Sequence, residues 1–370
     1  MTKVDVISGF LGAGKTTLIK ELLAEALKDE QVVLIENEFG EIGIDGGFLK
    51  EAGIEIREMN SGCICCSLVG DFGTALAEVQ ETYHPDRIII EPSGVGKLSD
   101  VIRAVEDVKD KADLTINSAT TVVDVLKARI YLKNFGEFFK NQVESAGTVI
   151  LSRTDTEKAD VKKIEETLAL LRPLNPDAVF VTTPIAVLGG RKVLETMEGV
   201  RVDLTKLPEE EEHHHHHHDH DEEGEEHHHH HDHDHDEEGE EHHHHHDHDE
   251  EGEEHHHDHE HHHHHGHDHH HHHHDADEIF TSWGKETIRT YSKEELENIL
   301  KALSETGDYG TVLRAKGMVD SGNGQWLYFD MVPGEWEVRD GAPEYTGRLC
   351  VIGAELKEEK LAGLFGLAGE

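Results

Sequence analysis

The run KVDVIS, followed at once by GFLGAGKTT from Gly9 to Thr17, constrains the fold of this chain more than any other stretch. A short β-branched segment reads as a buried strand. The pattern G-x-x-x-x-G-K-[ST] directly after a strand turns backbone N–H groups inward around phosphate oxygens. The helical pattern that such a loop requires follows in KTTLIKELLAEALKD. On this reading Gly9, Gly12, Ala13, Gly14, Lys15, Thr16 and Thr17 contact a nucleotide. Lys15 holds the β and γ phosphates, and the Thr16 hydroxyl binds Mg²⁺. A plain glycine-rich turn is the competing reading, and the strand, loop and helix context weighs against it.

Further short apolar runs, QVVLIE, DRIIIEP, TTVVDV, TVILS and AVFVTT, suit strands buried on both faces. Helical candidates lie between them, including TEKADVKKIEETLALLRPL. This alternation predicts an α/β fold with a mostly parallel sheet covered by helices. After the tract described next, KETIRTY, TVLRAKGMV, QWLYFDM, EWEVR and GRLCVIGA read as strands, and SKEELENILKAL and LKEEKLAGLFGL as helices. They predict a small α+β domain in which Trp283, Trp326, Trp336 and Cys350 are core or interface residues.

The formal charge of −45 is concentrated in one place. Residues 209–278 hold 29 Asp and Glu, no Lys or Arg, and 36 of the 37 histidines, leaving 50 acidic against 34 basic residues elsewhere. Within this stretch DEEGEEHHH recurs from Asp221, Asp236 and Asp249. With almost nothing apolar to bury, it is expected to be disordered. Three segments are therefore expected: a nucleotide-binding domain over 1–207, a His and acid linker over 208–278, and a C-terminal domain over 279–370. His213 to His274 would bind divalent transition metals with high capacity and little selectivity, an inert solubilising linker being the alternative. No segment offers the basic footprint that nucleic acid needs. None has the roughly 20 apolar residues of a membrane helix. With four cysteines, three of them clustered, and no apolar leader, the expected location is the cytoplasm.

A phosphate loop also needs an acid near the metal. RIIIEPSG supplies Glu91 at a strand end, with the amide of Gly94 placed to meet the γ phosphate. Glu91 could instead cap the next helix. In VILSRTDT, Ser152, Arg153 and Asp155 resemble the guanine-reading box [NS]-K-x-D. A carboxylate there accepts bonds from guanine that adenine does not offer. Arg153 departs from the usual lysine, and capping of the following helix is the alternative for Asp155. In SGCICCSL, Cys63, Cys65 and Cys66 suit Zn²⁺, Cu⁺ or Co²⁺ with a fourth position for Glu, His or water. A redox site and a buried turn are the other readings. Glu38 and Asp45, in ENEFGEIGID, are the carboxylates expected to face Mg²⁺, water or the transferred metal, a solvated acidic loop being the alternative.

Taken together, GFLGAGKTT, ENEFGEIGID, SGCICCSL, EPSG, SRTD and the late VLRAKG resemble the CobW family of P-loop GTPases, the metallochaperone group, in the family's order and outside the tract only. The resemblance implies a P-loop G domain, a C-terminal α+β domain, and GTP hydrolysis coupled to handling a transition metal through the CxCC cysteines. Lys15, Glu91 and Asp45 take the catalytic roles, and Thr16, Glu38 and Glu91 hold Mg²⁺. Cys63, Cys65, Cys66 and Glu38 hold the transferred metal, with Zn²⁺ first and Co²⁺ or Ni²⁺ open. Lys316 matches the family pattern without a derivable role. The implied partners are GTP, the metal and a client metalloprotein, and a homodimer is left open. The alternatives are metal storage on the histidine tract, or service to cobalamin assembly or nitrile hydratase maturation.

Overall fold

The computed structural model describes residues 1–37, 55–59, 69–200, 204–208 and 279–368. In chain order the first part runs β1 (Thr2–Gly9), α1 (Lys15–Glu25), β2 (Val32–Asn37), β3 (Glu55–Met59), α2 (Val69–Tyr83), β4 (Arg87–Glu91), α3 (Leu98–Ala112), β5 (Leu114–Asp124), α4 (Ala128–Asn134), α5 (Gly136–Glu144), β6 (Thr148–Ser152), α6 (Val161–Leu171), β7 (Val179–Val181), α7 (Ile185–Leu188) and α8 (Gly190–Glu198). The strands form one parallel sheet of order β3-β2-β4-β1-β5-β6-β7. The expected α/β architecture, a mostly parallel sheet covered by helices, is present. β1 lies between β4 and β5, and the phosphate loop leaves its C-terminal end, where open parallel sheets bind ligands.

The apolar strands divide their side chains between two helical layers. Val33 and Ile35 of β2, Ile88 and Ile90 of β4, and Val149 and Leu151 of β6 join the core with Phe72, Val101 and Phe139. Their alternate neighbours Leu34, Ile89 and Ile150 pack with Leu18, Ile19 and Leu22 of α1 and with Val193 and Met197 of α8. Side-chain direction alternates along a strand, so a continuous apolar run fills both layers.

Arg87 ties this sheet to its flank. Its guanidinium meets Asp5, Glu30 at 2.6 Å and Glu198 of α8 at 2.9 Å, while Asn117 and Ser118 also donate to Asp5. Burial alone would lower the Arg87 pKa, but bonding to Glu30, Asp5 and Glu198 carries it well above the ordinary arginine value. The group stays charged and the network is structural.

The second part comprises β8 (Phe280–Thr287), α9 (Lys293–Glu305), β9 (Thr311–Asp320), β10 (Trp326–Val332), β11 (Glu335–Gly341), β12 (Gly347–Ala354) and α10 (Glu358–Leu364). Its antiparallel sheet has the order β11-β10-β9-β12-β8. One face, with Leu349 and Val351, packs on Leu296, Ile299, Leu300 and Leu303 of α9 and on Phe365. The other sends Phe280, Leu313, Cys350 and Ile352 into the core of the first part. The described residues on either side of the tract accordingly form one compact unit.

At the seam, the ring centroid of Phe280 lies 5.4 Å from Phe135, 5.1 Å from Phe138 and 6.4 Å from Phe10 of the phosphate loop.

Several local expectations shift. α6 starts at Val161 rather than at Thr156, because the Asp160 carboxylate accepts the Lys163 N–H and caps it. The strand expected in KETIRTY ends at Thr287, where its partner β12 begins at Gly347, and Ile288 is left 91% exposed. AVFVTT contributes only Val179–Val181, at the sheet edge. Trp283, Trp326 and Cys350 are buried, and Trp336 stands exposed on the edge strand β11, outside the core. The helices α2, α3, α4, α5, α7 and α8 and the strand β3 are not among the segments named from the sequence. No helix among the described residues is long and apolar enough to cross a membrane.

Phe280→Ala leaves a cavity between the two parts and is expected to cost about 3–5 kcal/mol. Ile288→Ala, at an exposed position, should stay within about 0.5 kcal/mol. Denaturant unfolding of the full chain compares them; equal effects would show that the Phe280 contact contributes nothing special.

Candidate functional site

The phosphate loop is shaped by close approaches that leave no room for side chains. At Gly12, with φ of 69°, a Cβ would stand 2.5 Å from Cγ1 of Val332, at the end of β10. α1 begins after Gly14, a residue in the left-handed conformation that supplies no side-chain cap. The N–H groups of the first helical turn are therefore not taken by a capping side chain, the arrangement that favours an anion. Ala13 is buried in the core on the α1 side of the sheet, and Thr17 is exposed.

Lys15 is buried, and its Nζ donates to the Gly9 carbonyl at 3.0 Å and lies 3.9 Å from Glu91 Oε1. The Thr16 hydroxyl donates to the Glu91 carboxylate at 3.1 and 3.3 Å. β1 and β4 are neighbours in the sheet, so the residues following their C-terminal ends converge. Glu91 does not cap α3, which begins at Leu98 after Lys97. A hydroxyl and a carboxylate side by side are the hard oxygen donors that Mg²⁺ prefers, and with Lys15 alongside the set fits Mg²⁺ bound to a triphosphate.

Gly94 lies directly on this loop. A Cβ there would be 2.8 Å from both the backbone N and Cδ2 of Leu11. Its carbonyl, and that of Gly96, accept from Nε2 of the fully buried Gln142 at 3.2 and 2.9 Å. α5 thus fixes the loop that follows Glu91. Sequence reading missed Gln142, which carries no motif and is identified by this long-range bond.

Around Ser152, Arg153 and Asp155 the two parts of the molecule meet. Ser152 ends β6 opposite Asp124 of β5, and its hydroxyl donates to the Val123 carbonyl at 3.4 Å. Asp155 is exposed and does not cap α6, whose cap is Asp160. Arg153, at φ of 59°, sends Nε toward Asp124 at 3.1 Å and Nη1 to Glu335 of β11, with Nη2 3.5 Å from the Gly12 carbonyl. Lys127 Nζ lies 4.0 Å from Glu335. Burial pushes the Asp124 carboxyl up, with the Leu126 N–H, Arg153 and Lys127 pulling against it. Burial likewise pushes the Lys127 ammonium down, opposed by Glu335 and Asp124. Lys316 is buried within β9.

Glu38, Asp45, Cys63, Cys65, Cys66 and the tract from His213 to His274 lie outside the described residues. Among the described residues no group of three or more His, Cys, Asp and Glu is arranged to hold a metal.

Residues 3–182 match the family described as CobW/HypB/UreG, nucleotide-binding domain, and residues 280–367 the cobalamin synthesis protein CobW C-terminal domain. A zinc chaperone CobW of Sinorhizobium sp is 35% identical over 178 residues, 40% of this chain and 50% of that protein. The zinc chaperone YeiR of Escherichia coli is 30% identical over 155 residues, 42% of this chain and 47% of that protein. The chain spans about half the length of these relatives. The crystal structure of the Zn(II)-bound YjiA GTPase from E. coli aligns over 100% of this chain and 99% of that one at 18% identity, with a TM-score of 0.40.

Gln142→Leu removes both bonds to the loop after Glu91 and leaves two buried carbonyls without this donor. The expected loss is about 1–3 kcal/mol, read as a lowered Tm of the full chain. An unchanged Tm would mean that the loop holds its place without α5.

Proposed function

With a CobW/HypB/UreG nucleotide-binding domain followed by a CobW C-terminal domain, the chain belongs to the CobW family, and we propose that it is a GTP-hydrolysing metallochaperone that delivers zinc to a client metalloprotein. The observation that carries the nucleotide half of this reading is the Thr16 hydroxyl bonded to Glu91 beside the buried Lys15. Lys15 would exchange its bond to the Gly9 carbonyl for the phosphates, placing a fixed positive charge where negative charge collects during phosphoryl transfer. Thr16 and Glu91 would hold Mg²⁺, which when bound neutralises charge on the phosphate oxygens. Glu91 would also orient water bound beside them. Asp155, exposed at the end of the SRTD loop and not engaged in capping, is available to accept from guanine.

The metal half rests on the chemistry of SGCICCSL and on the relatives named zinc chaperones. Thiolates of Cys63, Cys65 and Cys66 with the Glu38 carboxylate make a donor set suited to zinc as cargo. These residues, and Asp45, lie between the phosphate loop and Glu91 in the chain, the interval in which G proteins carry segments that respond to the γ phosphate. If nucleotide changes zinc affinity, zinc must change nucleotide affinity by the same factor. The histidine tract would hold zinc loosely and in quantity, upstream of the thiolates.

Phosphate release from Mg-GTP by the full chain should fall at least about 100-fold in Lys15→Ala, the scale of losing a transition-state charge contact. Equal rates in the two proteins would remove the assigned role of Lys15. For the metal, Zn²⁺ competition against a chelating dye should be run on the full chain and on its Cys63→Ser, Cys65→Ser, Cys66→Ser variant. Each is measured without nucleotide, with Mg-GDP and with a nonhydrolysable Mg-GTP analogue. The expected result is one tight zinc equivalent that requires the cysteines and shifts with nucleotide. Identical zinc binding by both proteins in all three states would favour storage on the histidines.

A further inference from the structure

The C-terminal domain touches the nucleotide domain at the loop assigned to the phosphates and at the loop assigned to the base. Phe280 packs by Phe10, Val332 closes on Gly12, and Glu335 bonds to Arg153. Val332 and Glu335 are the two ends of one hairpin turn between β10 and β11. The turn therefore reaches both loops with a separation of three residues.

We propose that Glu335 is a positioning residue of the nucleotide site, holding Arg153 from the C-terminal domain in the orientation that the base-recognition loop requires. This rests on reading Ser152, Arg153 and Asp155 as the base site. Three oxygen groups surround one guanidinium: Glu335 from the hairpin and the more distant Gly12 carbonyl accept from it, and the Asp124 carboxylate at the end of β5 pairs with it by charge at 3.1 Å. A planar fork of donors can address three directions at once, whereas a lysine ammonium at the end of a flexible stem has no such fixed fork. The arginine in place of the usual lysine is thereby explained: its extra donors meet a carboxylate that the second domain supplies. The backbone points the same way. Arg153 is one of four non-glycine residues with positive φ among the described residues. Such a conformation persists where surrounding contacts enforce it.

The charge balance fits positioning better than a stability role. Asp124 and Glu335 face Arg153 and Lys127, two charges of each sign. The Arg153 and Glu335 side chains are each about one-third exposed, at 32% and 34%, so their pairing adds little to stability. A contact weak in stability yet specific in geometry is suited to setting the direction of a side chain. The consequence is linkage: whatever moves the C-terminal domain changes nucleotide affinity, and nucleotide biases that domain by the same factor.

The test is a double-mutant cycle in the full chain, reading affinity for a fluorescent GDP with the guanine-over-adenine ratio and Tm alongside. The proteins are the parent, Glu335→Gln, Arg153→Met and the double variant, with Glu335→Asp as the conservative replacement. Glu335→Gln should weaken GDP binding about 3- to 5-fold, the upper end of what a partly exposed charge pair supplies, with Tm nearly unchanged. Glu335→Asp should recover part of the loss. The double variant should bind no more weakly than Arg153→Met alone. Asp155→Ala separates the two ideas. If it lowers the guanine preference while Glu335→Gln stays within about 2-fold of the parent, the positioning role is wrong and the base site stands. If the preference survives Asp155→Ala, the base-site reading fails and takes this proposal with it. Losses that multiply in the double variant would mean that Glu335 does not act through Arg153.

Discussion

Phe10 belongs to the phosphate loop and also to the aromatic cluster on which the two halves of the molecule close. Its ring is 1% exposed, with Tyr131 at 4.4 Å, Phe135 at 5.5 Å and Phe280 at 6.4 Å between centroids. Burying a phenylalanine of this kind stabilises by about 1.5–3 kcal/mol, and stacked or edge-on pairing adds to it. The loop assigned to phosphate is thereby anchored by an apolar side chain buried in the aromatic cluster. Phe280 anchors the antiparallel sheet by the same contact.

Against that magnitude the ionic contacts at the seam are small. An ion pair between partly exposed side chains is worth about 0–1 kcal/mol, less than either phenylalanine. The aromatic cluster therefore holds the second domain to the first, and the Asp124, Lys127, Arg153 and Glu335 group decides how the loop after β6 is oriented. Burial acts on Asp124 and Lys127 in opposite senses, disfavouring each charge. Both are tolerated because the opposite charge is close by. Gln142 has the corresponding role for the loop after Glu91, through two bonds rather than through charge.

Legibility followed the range of the interaction involved. The strands β1, β2, β4 and β6 could be read directly, since burial on both faces demands uninterrupted apolar residues. α1 and α9 were also readable, from the helix that must follow a phosphate loop and from SKEELENILKAL with Ser292 as its cap. α4 and α5 were not, because helices of seven and nine residues are too short to show a periodicity. Asp155 and Asp160 illustrate the limit: the first precedes the expected helix and the second lies inside it, and only the structure shows that the Asp160 carboxylate holds the cap. Trp336 shows the same limit: its type suits a core or an interface, and only the sheet order places it exposed on an edge strand. The pairing of Thr16 with Glu91 was legible because a strand-borne acid near a phosphate loop is a requirement of the chemistry.

The sequence alone determined that a strand, phosphate loop and helix begin the chain, that an acid would stand beside Thr16, and that residues 209–278 divide it by composition. Each of these is written in adjacent residues, where spacing and side-chain type carry the physics. Only the tertiary structure decided that Phe280 would meet Phe10, Val332 would meet Gly12, Gln142 would hold the loop after Glu91, and Glu335 would reach Arg153 across 182 positions. Alternation along a strand fixes which residues share a face. Which faces meet depends on how the whole chain buries its apolar surface, and no local pattern encodes that.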